Sequence, residues 1–178
     1  MILTVNFGQP LAKHFWRDRR PLIMVCGCFD LLTVGHVRHL REAKRMGACL
    51  CVLVTADRHV GKPGRPIVSE DQRAEVVDAL GCVDFTIVNP YPTAVEAIRC
   101  LRPEVYVKGN EYWLKHDCTY KRVGSLVREV EAVESVGGRV EFTDTDGVHT
   151  TDVLERVYRT EYERLHWAHL DHQHPLPT

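Results

Sequence analysis

Gly27-Cys28-Phe29-Asp30-Leu31-Leu32-Thr33-Val34-Gly35-His36 is the stretch on which the reading of the chain turns. It follows the apolar run Leu22-Ile23-Met24-Val25-Cys26, the pattern of a strand buried on both faces. After it, Val37, Leu40, Ala43 and Met46 recur at near-helical spacing, with Arg38, Arg41, Glu42 and Arg45 between them. The stretch is therefore a strand-to-helix turn. Open α/β sheets bind ligands at such turns, outside the carboxyl ends of the strands. Gly27 and Gly35 let backbone pass close to a ligand. At a helix start, N–H groups and the dipole attract an anion, and His36 adds a donor that can follow charge on a phosphoryl group. Taken alone, these residues describe a helix-capping βα turn equally well, so the rest of the chain has to decide.

The 178 residues suit one domain with a substantial core. An apolar fraction of 44% and a charged fraction of 26% are those of an ordinary globular chain. A formal net charge of −1 argues against bulk binding to nucleic acid or an anionic membrane, so any phosphate site must be a local cluster of cations. No apolar run is long enough for a membrane span, and the N-terminus lacks the basic segment of a secretory signal. Seven cysteines without a Cys-x-x-Cys pair make neither a disulfide framework nor a zinc pattern. They read better as small buried hydrophobes in a reducing, cytoplasmic setting.

In chain order, Phe7, Leu11, Phe15 and Trp16 could form an amphipathic turn. Gly47 is read as the stop of the first helix, and residues 49–56 as a second buried strand. The loop over 57–68 is a plain connector or a mobile lid whose Lys62 and Arg65 reach a polyphosphate from outside. Ser69-x-x-Gln72 and Thr93-x-x-Glu96 are capping-box starts for two helices, with strands at 84–88 and 104–108. Arg73 sits in a helix's first turn, where a cation needs solvent or an anionic partner. A helix marked by Val123, Leu126, Val127, Val130 and Val133 stops at Gly137-Gly138, and a strand follows at 139–143. Cap residues around Thr150 and Thr151 open the last helix and could hold a phosphate, with Arg156 one turn on. The His-rich end could bind metal or be a frayed helix. The alternation predicts a doubly wound, Rossmann-like α/β sheet of about five parallel strands in the order 3-2-1-4-5. Residues 1–21 are an extension, 22–165 the domain and 166–178 the tail.

Thr33-Val34-Gly35-His36 resembles the signature of the nucleotidyltransferase superfamily that carries a His-x-Gly-His or Thr-x-Gly-His motif. With Gly27-Cys28-Phe29-Asp30, Arg65-Pro66, Gln72-Arg73, Val107-Lys108-Gly109 and Gly137-Gly138-Arg139-Val140, it is similar to the nucleotidyltransferase domain of bacterial ADP-heptose synthases, the heptose 1-phosphate adenylyltransferases. Residues 147–156 are also similar to glycerol-3-phosphate cytidylyltransferases. Three places depart from those patterns: Thr33 stands for the commoner His, His149 for a Ser, and the stretch Asn110-Glu111-Tyr112 for Gly-Asp-Tyr or Asp-Asp-Trp.

The resemblance implies in-line transfer of a nucleotide to a phosphorylated acceptor, with loss of pyrophosphate. It implies Thr33 and His36 on the phosphates, and Lys62 and Arg73 clamping the triphosphate or acceptor, with Arg65 and Asp30 at the acceptor side. Gly27, Cys28, Phe29 and Gly35 would meet the nucleotide through the turn, and Lys108, Gly109 and Glu111 would form its wall. Thr150, Thr151 and Arg156 would hold the leaving pyrophosphate. Mg²⁺ would bridge phosphates through water and substrate oxygens, and a homodimer is implied. ATP with a sugar 1-phosphate is favoured. CTP with a polyol phosphate or phosphonate, and a nucleotide sensor without catalysis, are the rivals. A dinucleotide-dependent oxidoreductase would want Gly-x-Gly-x-x-Gly after the first strand, which is missing.

Overall fold

A computed structural model describes residues 1–3, 18–61, 64–114, 119–120, 124–145 and 150–171. Phe7, Leu11, Phe15, Trp16, Lys62, His149, His172 and His174 lie outside the described residues. The strands are β1 (Ile2–Leu3), β2 (Leu22–Gly27), β3 (Cys49–Thr55), β4 (Phe85–Asn89), β5 (Val105–Lys108), β6 (Trp113–Leu114), β7 (Thr119–Tyr120) and β8 (Arg139–Phe142). The helices are α1 (Val34–Lys44), α2 (Glu70–Asp78), α3 (Val95–Leu101), α4 (Leu126–Ser135) and α5 (Thr150–Asp171). Residues 1–147 form one compact unit and 148–178, which contain α5, another. No helix among the described residues is long and apolar enough to cross a membrane.

Six parallel strands run β1-β4-β3-β2-β5-β8, and β6 and β7 form a separate antiparallel pair. Without β1 this is the expected order 3-2-1-4-5. The sixth strand was not expected: Ile2 and Leu3 pair with Thr86 and Ile87 at the sheet edge. Two residues have no periodicity to read, and their pairing spans more than eighty positions. The reversal of winding falls between β2 and β5, where Val25 pairs with Val52 on one side and Val107 on the other. That is where a doubly wound sheet presents its ligand crevice.

Alternation along β2 and β3 divides the core. Leu22, Met24, Cys51 and Leu53 pack with Ile98 and Leu101 of α3 and Val133 of α4 on one face. Ile23, Val25, Leu50 and Val52 pack with Leu40 of α1 and Val77 of α2 on the other. The cysteines belong to this packing: burial pushes the Cys26 and Cys49 thiols to about 11 and raises Cys51 further. Gly47 serves a different end from the helix stop expected of it. A Cβ there would come within 2.6 Å of Ile23 Cδ1 and 2.7 Å of the Pro21 carbonyl, so glycine is needed for space beside β2.

Two helix starts differ from expectation. The Ser69 hydroxyl donates to the Gln72 side chain at 3.2 Å rather than capping α2. Helix α3 has Ala94, not Thr93, at its N-cap, and the Ala94 N–H is taken by Glu129 Oε1 of α4 at 3.2 Å. At α3 a tertiary partner competes with the local box, whereas at α2 Ser69 is the N-cap residue as expected and its hydroxyl bonds within the box itself.

Candidate active site

The turn leaves β2 at Gly27, crosses its end and enters α1 with Thr33 at the N-cap. Phe29 adopts a left-handed backbone (φ 52°) and folds its ring back so that a Cβ on Gly27 would lie 3.0 Å from it. The Phe29 ring meets His36 edge-on at 5.4 Å between centroids. A side chain at Gly27 would thus crowd the Phe29 ring, and Phe29 in turn walls one side of the imidazole.

Thr33 and His36 form a capping box in which histidine stands where Glu or Gln is usual. The Thr33 side chain accepts the His36 backbone N–H, and the Thr33 backbone N–H donates to His36 Nδ1 at 3.1 Å. A backbone amide can only donate, so Nδ1 is the acceptor and the neutral ring carries its proton on Nε2. The capping reading of the motif holds, and the residues that cap α1 also fix the orientation of the imidazole at its start.

Asp30 anchors the turn from beneath. It is 3% exposed; Oδ1 accepts the N–H groups of Ile67 (2.7 Å) and Val68 (3.0 Å), and Oδ2 pairs with Arg65 Nε. Burial works against its charge, but the Val68 amide, Arg65 and the Ile67 amide outweigh it and hold the carboxyl below its ordinary 3.8. With both oxygens used, Asp30 fastens the 64–69 loop to the turn, which leaves it poorly placed for the substrate contact expected of it.

Arg73 is also placed otherwise than expected. It is 1% exposed, with Nε donating to the Val68 carbonyl (2.8 Å), Nη1 to the Cys28 carbonyl, and Nη2 to the Thr55 carbonyl (2.8 Å) and Asp57 (2.6 Å). The planar fork satisfies carbonyls from three segments at once. Its anionic partner in this structure is Asp57, and through these contacts it braces the turn. Asp57 was missed in the sequence, although a polar residue just past a strand's carboxyl end is a signal that could have found it.

Across the crevice, Lys108 ends β5, with Nζ 3.6 Å from Glu129 Oε2 and 4.7 Å from the Tyr112 ring centroid. Gly109 follows, and Glu111 lies in a short 3-10 turn over Asn110–Tyr112. His39, one turn after His36, shares a 2.7 Å hydrogen bond between Nδ1 and Thr143 Oγ1, joining α1 to the end of β8. Burial, with the charges of His36 and Lys108, pushes His39 down to about 4. The structure therefore brings together Gly27 to His36, Arg65 and Arg73, with Lys108 and Gly109 on the neighbouring strand end. Thr150, Thr151 and Arg156 lie in the second unit, at the start of α5.

A family model described as cytidylyltransferase-like matches residues 24–156, from the middle of β2 into α5. The bifunctional protein HldE of Syntrophotalea carbinolica is 39% identical over 145 residues, which is 79% of this chain and 28% of that protein. The HldE of Wolinella succinogenes is 41% identical over 143 residues, 78% of this chain and 29% of that one. The chain thus spans less than a third of the length of these relatives. A lipopolysaccharide core biosynthesis protein from Thermoplasma volcanium shares the fold, with a TM-score of 0.55 at 23% identity, over 72% of this chain and 98% of that one. With its turn at the switch point of the sheet and the family match running through it, the chain belongs to the cytidylyltransferase-like family of nucleotidyltransferases.

Proposed function

We propose that this chain joins the AMP portion of ATP to a phosphorylated small molecule, a heptose-like sugar 1-phosphate, and releases pyrophosphate. The observation that carries the reading is His36, held by the Thr33 amide with its proton on Nε2, at a helix start that attracts anions. An acceptor phosphate oxygen attacks the α-phosphorus in line. The new P–O bond forms as the bond to the bridging oxygen of the β-phosphate breaks, and pyrophosphate leaves with the electron pair. No protein nucleophile is needed; positioning and charge stabilisation suffice.

His36 Nε2–H and the Thr33 hydroxyl donate to the reacting phosphates. Arg65 and Lys62 meet charge from the loop side, and Gly109 and Glu111 line the nucleotide beside Lys108. Thr150, Thr151 and Arg156 keep the pyrophosphate role that the resemblance implies. Arg73 and Asp30 act at one remove, by holding the turn. Among the described residues no cluster of His, Cys, Asp or Glu could cage a metal, and Asp30 has both oxygens occupied. Mg²⁺ in this proposal therefore arrives with the nucleotide, on phosphate oxygens and water.

The test is pyrophosphate release with ATP and CTP, each against sugar 1-phosphates, polyol phosphates and phosphonates. ATP with a sugar 1-phosphate should give the highest kcat/KM, because residues 107–143 resemble the heptose adenylyltransferases. Turnover with CTP and a polyol phosphate, and little with ATP, would establish the second reading, which the likeness of residues 147–156 to glycerol-3-phosphate cytidylyltransferases favours. Nucleotide binding without release from any acceptor would leave a sensor. The proposal includes a cytoplasmic homodimer, and sedimentation showing only monomer would remove the dimer.

A further inference from the structure

Glu129 lies on the face of α4 that Leu126, Val130 and Val133 bury, and is itself 3% exposed. A carboxylate is not retained at that depth without partners. Oε1 accepts the Ala94 N–H at the start of α3, and Oε2 accepts the Tyr106 hydroxyl at 3.0 Å and stands 3.6 Å from Lys108 Nζ. The Lys108 side chain is 12% exposed, and its ammonium faces the rings of Tyr112 (4.7 Å) and Tyr106 (5.6 Å). Well-packed apolar residues stabilise a core at least as well as a buried ion pair, so stability alone does not account for this one. Its location does. Lys108 ends β5, beside β2, whose own end begins the phosphate turn.

We propose that Glu129 is a positioning residue of the nucleotide site, holding the Lys108 ammonium against the Tyr112 ring at the end of β5 and tying it to the start of α3. The substrate rests on the nucleotidyltransferase reading; the geometry does not. Glu129 from α4, Tyr106 from β5 itself, Cys26 from β2, Tyr112 from the 3-10 turn and His39 from α1 face the ammonium. Burial opposes its charge, but Glu129, Cys26 and Tyr112 outweigh this and raise Lys108 above its ordinary 10.5.

Glu129→Gln keeps the shape and an acceptor for the Ala94 N–H but removes the charge. NMR titration of the lysine side chains in the full chain should show Lys108 releasing its proton at lower pH than in wild type. Calorimetry should show ATP binding weakened about twofold or more at about pH 9.5, and less near neutrality, while wild type changes little between them. Glu129→Asp should recover part of the loss. In a Lys108→Met background, Glu129→Gln should have no further effect on ATP binding. Wild-type ATP affinity in Glu129→Gln at both pH values, or an undiminished effect in the Lys108→Met background, overturns the proposal. If the single variant does not fold, the Lys108→Met/Glu129→Gln protein, neutral at both positions, replaces it. Weaker binding without pH dependence supports the proposal there, and wild-type binding overturns it. Pyrophosphate release is not among these readouts, so absence of turnover with every acceptor would count against the transferase reading alone.

Discussion

Helices α1 and α3 both begin just past the carboxyl end of a parallel strand, and their N-termini are closed in opposite ways. Helix α1 is closed by its own residues, Thr33 and His36. Helix α3 is closed by Glu129, supplied from α4. A local box satisfies amides without adding negative charge, so the start of α1 keeps its attraction for a phosphate. At α3 a carboxylate already stands where an anion would go. Of two helix starts at this edge of the sheet, one leaves its dipole uncompensated by negative charge and the other is tied to a neighbouring helix.

The comparison breaks most visibly at Glu129. Replacing it with Leu leaves the Lys108 ammonium buried without its carboxylate and the Ala94 N–H without an acceptor, a loss of about 3–5 kcal/mol in stability. Urea unfolding measures it, and a change below about 1 kcal/mol would mean that α3 does not depend on its tertiary cap.

The counterpart at α1 is chemical. His36→Ala should lower kcat and kcat/KM together by about 10²–10³, roughly 3–4 kcal/mol, with little change in nucleotide affinity. His36→Asn, which keeps a donor, should recover part. Full activity in His36→Ala would leave His36 as a capping residue only.

Thr33→Ala sharpens the division between capping and chemistry. Loss of the N-cap should cost about 0.5–2 kcal/mol in urea unfolding. Its effect on kcat should be smaller than that of His36→Ala, since a neutral hydroxyl makes the weaker bond to a phosphate. A larger kcat loss than in His36→Ala would reverse the assigned roles.

A further effect, on stability alone, concerns His39, which links α1 to the end of β8. In the folded chain it takes a proton near 4, against an ordinary 6.5, so between these values the unfolded chain binds more protons. Stability should therefore fall as pH drops from about 6.5 to about 4. His39→Gln, which keeps a partner for Thr143, should flatten that fall when unfolding is compared at neutral pH and at about pH 4.5. An unchanged slope would assign the loss to other groups.

Much of the frame was legible because its signals are local. Apolar runs such as Leu22–Cys26 and Cys49–Val54 announce buried strands, and Thr33-Val34-Gly35-His36 announces a helix start, without knowledge of what lies opposite. Thr93-x-x-Glu96 misled by one residue because its cap competes with a carboxylate from α4. Arg73 was recognised as a cation in need of an anion, but the identity of that anion, Asp57, depends on how β3 and α2 meet. Glu129 did leave a trace: it falls three residues after Leu126 and four before Val133, a charge inside an apolar stripe.

By itself the sequence determined the alternation of strands and helices and the strand-to-helix turn at Thr33-Val34-Gly35-His36, since periodicity, turn chemistry and capping act over a few residues; the order 3-2-1-4-5 was an assumption that the strand pairing bore out. Only the tertiary structure decided which charges face a ligand and which hold the fold. Arg73, Asp30, Lys108 and Glu129 are all charged groups near strand ends or helix starts, and nothing in their neighbours along the chain separates bracing from binding. That choice follows from burial and from which acceptors packing brings within hydrogen-bond reach, and both arise from contacts between segments distant in sequence.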